Sequence, residues 1–199
     1  MISRMNWQMI RLCDVKPTPW RNGGGTTREL LAWPQSQIPG KDWQWRASVA
    51  EISQAGDFSS FPGVQRWFAV LNGEGVGLSI DGELHLLSSM DAPVCFDGGA
   101  QTSCTLLSGA TQDFNLMLQG GASARMQRVR AMQQVLIVAP KIIAVYANNA
   151  PATVLFGSQN YEILPHTFAW CAFGDDHDND AGAVLQLRAT DALLMEIHV

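Results

Sequence analysis

Apolar and polar positions alternate along this chain in short runs. In Trp45-Arg46-Ala47-Ser48-Val49-Ala50-Glu51-Ile52, an extended backbone puts Trp45, Ala47, Val49 and Glu51 on one side. Arg46, Ser48, Ala50 and Ile52 then share the other. Comparable runs predict strands at 45–52, 66–71, 76–80, 84–87, 94–96, 104–107 and 114–118, and again at 135–138, 142–146, 153–156, 167–173, 184–187 and 192–198. Asn72-Gly73, Asp81-Gly82 and Gly98-Gly99 fall between runs and are read as tight turns that need positive φ. Helical periodicity is weak everywhere, with 122–134 the best candidate. Many short strands with frequent turns predict an all-β protein, a sandwich or barrel.

The pattern occurs twice. Phe68–Leu118 and Ile143–Ile197 align through Ala69-Val70 with Ala144-Val145, Phe96 with Phe173, and Asp113-Phe-Asn-Leu-Met117 with Asp191-Ala-Leu-Leu-Met195. Two similar β units are therefore expected in one compact body, 1–125 with the N-terminal strands and 126–199 as the second. No flexible spacer separates them. Arg21, Arg28, Arg46 and Arg66 all precede position 70, so the first unit is where binding or chemistry is expected.

Composition narrows the partners. A 199-residue chain with 47% hydrophobic residues has ample apolar surface for such a core. The formal charge of −5, from 13 basic and 18 acidic residues, argues against a nucleic-acid partner. No apolar run approaches the length of a membrane helix, and Asn6, Gln8 and Arg11 interrupt the N-terminus where a signal peptide would be apolar, so a cytoplasmic protein without membrane contact is expected. Cys13, Cys95, Cys104 and Cys171 form no Cys-x-x-Cys pair. The last three stand in apolar runs and are read as buried thiols.

The densest candidate chemistry is Trp20-Arg21-Asn22-Gly23-Gly24-Gly25-Thr26-Thr27-Arg28-Glu29. Glycines permit close backbone approach, and the flanking arginines and threonines suit a carboxylate or phosphate. The plainer alternative is a glycine-rich turn entering a strand, since the spacing matches no nucleotide-binding fingerprint. On 45–52, Arg46 and Ser48 share a face that would suit a polar interior, or would face water. His85, His166, His177 and His198 are scattered, and the acidic segment 175–180 reads as a solvated loop.

The blocks WRNGGGTTRE (20–29), WRASVAEI (45–52), GDFSSFPGVQR (56–66) and DFNLM (113–117) occur in the order found in the HutD/Ves family, which the first 120 or so residues closely resemble. The remainder fits more loosely. The resemblance implies two cupin-like β-barrels, a bicupin, and a link to bacterial histidine utilisation as an accessory or regulatory protein. Such a protein would sense or buffer a pathway intermediate, a formylated or imidazole-derived acid. The ligand-binding residues it implies are Trp20, Arg21, Asn22, Thr27, Arg28, Glu29, Arg46, Ser48, Phe61 and Arg66, with Asn115 from the strand that closes the same barrel.

In metal-binding cupins the stretch before the strand at 66–71 carries two histidines and a glutamate. Phe58, Ser59, Phe61, Gln65 and Arg66 stand there instead, so no metal and no cofactor are expected. A small anionic molecule is the expected partner, and a homodimer is compatible with this. Two other readings stay open: a metal-independent hydrolase or isomerase using Glu29 or Glu51 as base, and a structural partner whose arginines form an interface.

Overall fold

The computed structural model describes residues 6–34, 43–138, 140–174 and 182–199. Apart from one 3-10 turn at Leu12–Asp14, every regular element among them is a strand. They are β1 (Gln8–Arg11), β2 (Thr18–Pro19), β3 (Gly25–Trp33), β4 (Trp45–Ile52), β5 (Gly56–Asp57), β6 (Gln65–Asn72), β7 (Val76–Ile80), β8 (Glu83–Leu87), β9 (Val94–Asp97) and β10 (Thr102–Leu106). The series continues with β11 (Thr111–Leu118), β12 (Ser123–Val129), β13 (Met132–Leu136), β14 (Lys141–Ala147), β15 (Ala152–Phe156), β16 (Gln159–Ile163), β17 (Thr167–Phe173), β18 (Val184–Ala189) and β19 (Ala192–His198).

The chain divides into a first unit, Val15–Ser123, and a second, Met1–Asp14 with Ala124–Val199. This corrects the assignment of the N-terminal residues to the first unit. β1 pairs with β17, Gln8 opposite Trp170, because that sheet edge supplies the backbone partners it needs.

Each unit has two antiparallel sheets around its own core, the cupin-like form, with linear strand orders rather than one continuously closed barrel. In the first unit a large sheet, β2-β3-β4-β11-β6-β9, contributes Ile52, Phe68, Val70 and Phe96 to the interior. A small sheet, β5-β10-β7-β8, contributes Val76, Leu78, Leu87 and Cys104. The second unit has β1-β17-β14-β19-β12 and β13-β18-β15-β16, with Ile143, Val145, Val154, Phe156, Phe173, Leu187 and Leu194 among its core residues.

The internal repeat is a repeat of topology. β4 to β11 recur in the same strand order as β12 to β19. Register gives the residue equivalence: Arg66 stands opposite Phe96 as Lys141 stands opposite Phe173. Asn115 stands opposite Phe68 as Glu196 stands opposite Ile143. The matching of Asp113–Met117 with Asp191–Met195 is therefore displaced, since Asn115 corresponds to Glu196 and not to Leu193. Two apolar strands resemble each other at several offsets, and only pairing decides among them.

Three further expectations change. The helix candidate 122–134 is instead β12 and the start of β13, whose Val129 and Val135 enter the second core; pairing with β19 and β18 overrides local preference. β16 was not anticipated because Gln159-Asn-Tyr-Glu-Ile163 is polar, as an edge strand tolerates. Cys95 is exposed, on the outward side of edge strand β9, whereas Cys104 and Cys171 are buried.

Gly73 and both residues of Asp81-Gly82 take positive φ at their turns, but Gly98 and Gly99 do not. Gly98 is required for a different reason: a Cβ there would lie 2.8 Å from the carbonyl oxygens of Phe61 and Val64. That close approach holds the Phe61 segment against β9, with Phe61 N–H donating to Gly98 O at 2.7 Å. The acidic segment 175–180, with His177, lies outside the described residues.

Candidate functional site

On β4 the alternation resolves in favour of an inward Arg46. Arg46, Ser48, Ala50 and Ile52 line a cavity of about 460 Å³ in the first unit. Trp45, Ala47 and Val49 are buried on the opposite face, so both sides of this strand are covered. β11 adds Asn115 and Met117, β6 adds Arg66 and β3 adds Thr27. Register brings these together: Met117 lies between Arg46 and Arg66, and Asn115 between Ser48 and Phe68.

Arg66 is the most deeply buried charged side chain among the described residues that line this cavity. It is 7% exposed, donates from Nη2 to Asn115 Oδ1 at 2.9 Å, and leaves its Nε without a hydrogen-bond partner. Its guanidinium lies over the rings of Phe58, Phe96 and Phe61, at 4.9, 5.2 and 5.8 Å from their centroids. Among the described residues it forms no ion pair. Burial, and then the neighbouring Arg46 charge, lower its pKa to about 10, so it remains a cation at neutral pH. Arg46 differs: its Nε is 2.6 Å from Glu29 Oε2, and both side chains reach solvent.

The glycine-rich segment is a hairpin turn from β2 into β3, as its plainer reading has it, and it also lines the cavity. Trp20 N–H donates to Gly25 O, and the Trp20 indole donates to Thr27 Oγ1 at 2.7 Å. Gly25 is obligatory, because a Cβ there would fall 2.3 Å from Glu51 O and about 3.1 Å from the Trp20 ring. The turn presents Trp20, Arg21 and Asn22 to the cavity, and Asn22 Oδ1 accepts from Gly24 N–H.

Two of the expected residues do not line it. Arg28 takes the other face of β3 and donates to Val15 O at 3.1 Å. Glu29 reaches the site only through Arg46. Pro19, Ala50, Ile52, Asp57, Phe58, Ser59 and Met117 line the cavity without having been proposed as ligand-binding. Ala50 and Ile52 were legible from the face they share with Arg46. Asp57, Phe58 and Ser59 belong to the stretch read as lacking metal ligands. Met117 was legible in the same way as Ala50 and Ile52, two positions from Asn115 on the same strand. Asp57 is the one carboxylate among the described residues that line the cavity, while Glu51 is exposed on the opposite face of β4. No group of three or more His, Cys, Asp or Glu side chains able to hold a metal occurs among the described residues.

Asp113, on the same inward face of β11, is fully buried. Thr111 Oγ1 donates to its Oδ2 at 2.7 Å, and its Oδ1 has no partner. Burial raises its pKa to about 7, against a small lowering by the Thr111 hydrogen bond. The folded protein thus keeps a proton that the unfolded chain, with an aspartate near 3.9, has already lost. Stability is expected to fall as pH rises from about 4 to 7 and to level off above, by an amount on the order of 3–4 kcal/mol from this group. Asp113→Asn should remove that slope: urea midpoints from pH 4.5 to 8 should converge with wild type at the acid end and exceed it at the alkaline end.

Similar proteins agree with this architecture. The HutD family model matches residues 13–195. An uncharacterized 21.2 kDa protein from the hutC 3′ region of Pseudomonas putida is 42% identical over 111 residues, covering 55% of this chain and 57% of the relative. Protein Ves of Escherichia fergusonii is 37% identical over 109 residues, covering 52% and 55%. The match thus spans little more than half the length of each. The structure of HutD from Pseudomonas fluorescens SBW25, in a formate condition, superposes with a TM-score of 0.78 at 30% identity, over 96% of this chain and 98% of that one. A cupin 2 conserved barrel domain protein from Leptotrichia buccalis, at 9% identity and a TM-score of 0.54 over 96% of each chain, shares the fold alone. With its family blocks in order, its doubled cupin-like topology and a match along nearly its whole length, the chain belongs to the HutD family.

Proposed function

We propose that this protein binds a small carboxylate and serves histidine utilisation in the cytoplasm as an accessory or regulatory protein, sensing or buffering a formylated or imidazole-derived acid. The observation that carries this reading is Arg66: a buried guanidinium, without a carboxylate partner among the described residues, facing a cavity of about 460 Å³. A buried cation is costly unless paired, and an incoming carboxylate supplies the pair. Trp20, Phe58 and Phe61 offer flat apolar surface to a planar formyl or imidazole group, and Thr27, Ser48 and Asn115 offer polar contacts. Membership of the HutD family, and a relative named from the hutC region, support the pathway.

The reading of Glu29 or Glu51 as a catalytic base gains no support from the geometry, because Glu29 is held by Arg46 and Glu51 lies across the sheet. Calorimetry with formate, N-formylglycine and imidazole-4-acetate tests the proposal, with chromatography of each mixture to detect turnover. Saturable binding of at least one acid, without product, is expected. Absence of binding to all three would overturn carboxylate capture, and product formation would make the protein an enzyme.

A further inference from the structure

The two units put a cation at the same strand position and treat it in opposite ways. In the second, Lys141 Nζ donates to Glu196 Oε2 at 2.9 Å and to Leu136 O at 3.1 Å. That cation is buried and its counter-ion belongs to the chain itself. In the first unit, Arg66 occupies the equivalent place opposite Phe96, and the position of Glu196 is held by Asn115. Asparagine supplies an oxygen to Arg66 Nη2 but no charge.

We infer that Asn115 is the specificity-determining residue of the site: its neutrality keeps Arg66 open to an external carboxylate, which takes the part that Glu196 plays in the second unit. The inference rests on the carboxylate-binding reading above and adds the residue that selects the ligand's charge. Three features support it. The Arg66 Nε is buried without a partner, so the chain itself does not complete the hydrogen bonding of the guanidinium. Asn115 lines the cavity, and with Oδ1 engaged by Arg66 its amide N–H groups remain to meet a second ligand oxygen. Of the other arginines that line the cavity among the described residues, Arg46 already has Glu29 and Arg21 is exposed to solvent. The buried, uncompensated charge is therefore that of Arg66. Its equivalent in the second unit is satisfied internally, so one carboxylate is bound per chain.

The test compares Asn115→Asp with Asn115→Leu in calorimetry against formate and N-formylglycine. Asp nearly reproduces the asparagine shape but gives Arg66 an internal counter-ion and repels an anion. Leu removes every polar contact and adds no charge. N115D is expected to lose at least about thirtyfold in acid affinity, and N115L only about fivefold. Ligand-free N115D should melt no lower than wild type, because the new carboxylate pairs with Arg66. If the residue acts only by shape or hydrogen bonding, N115L will be the weaker binder, and that order overturns the inference. Retained acid affinity in N115D, or failure of N115D to fold, also overturns it. In those cases wild-type binding still stands, whereas a wild type that binds no acid removes the carboxylate-binding reading first.

Discussion

Arg66→Met should abolish carboxylate binding and leave the ligand-free protein as stable as wild type or more so. The first effect follows from removing a desolvated charge-assisted contact, which typically costs 2–5 kcal/mol, or about thirtyfold to several thousandfold in affinity. The second follows from what Arg66 lacks. With no ion pair among the described residues and Nε unsatisfied, it contributes packing and ring contacts against a sizeable desolvation cost. Methionine fills much of the same volume among Phe58, Phe61 and Phe96 without a charge to desolvate. Asn115 loses its guanidinium partner but remains on a cavity wall, where water can reach it. Calorimetry and thermal melting of the same preparation decide. A large drop in melting temperature would mean that Arg66 is chiefly structural, and unchanged affinity would remove it from the site.

The opposite result is expected in the second unit. Glu196→Leu leaves Lys141 buried, with Leu136 O as its remaining acceptor among the described residues. Breaking a buried pair by deleting one partner costs about 3 kcal/mol or more. For a chain of this size that is a fall of roughly 10 °C in melting temperature. The double variant Lys141→Met/Glu196→Leu should recover most of the loss, because it removes both charges together. Thermal melts of the single and double variants measure this. Equal destabilisation in both would show that the charges themselves are not the cause. Equivalent strand positions are thus expected to have opposite energetics: one cation has its counter-ion within the chain, and the other has none among the described residues.

How far each of these features was legible depends on its range along the chain. Most strands were visible because alternation is local: a residue in a strand has two faces to choose from, and its neighbours two away share its choice. That is why Arg46 and Ser48 were placed together on one face of β4. The polar edge strand β16 and the segment 122–134 were harder, because their strand form comes from a neighbour's backbone. The N-terminal strand went to the wrong unit for the same reason, since nothing within Gln8–Arg11 says that β17 is its partner.

The sequence by itself determined an all-β chain of doubled cupin-like pattern, family membership, and a first unit rich in arginine. Only the tertiary structure decided which arginine is buried without a counter-ion among the described residues. Both faces of β4 carry buried residues, so alternation set Arg46 beside Ser48 without saying which face held the cavity. Arg28 turned to the other face of its strand, and Glu29 became the counter-ion of Arg46. Asn115 and Glu196 do not align as the sequence repeat suggested; strand register makes them equivalent. The physical reason is that face is a two-residue property, whereas the charge a buried guanidinium meets is set by residues up to 49 positions away that reach it only through cross-strand pairing.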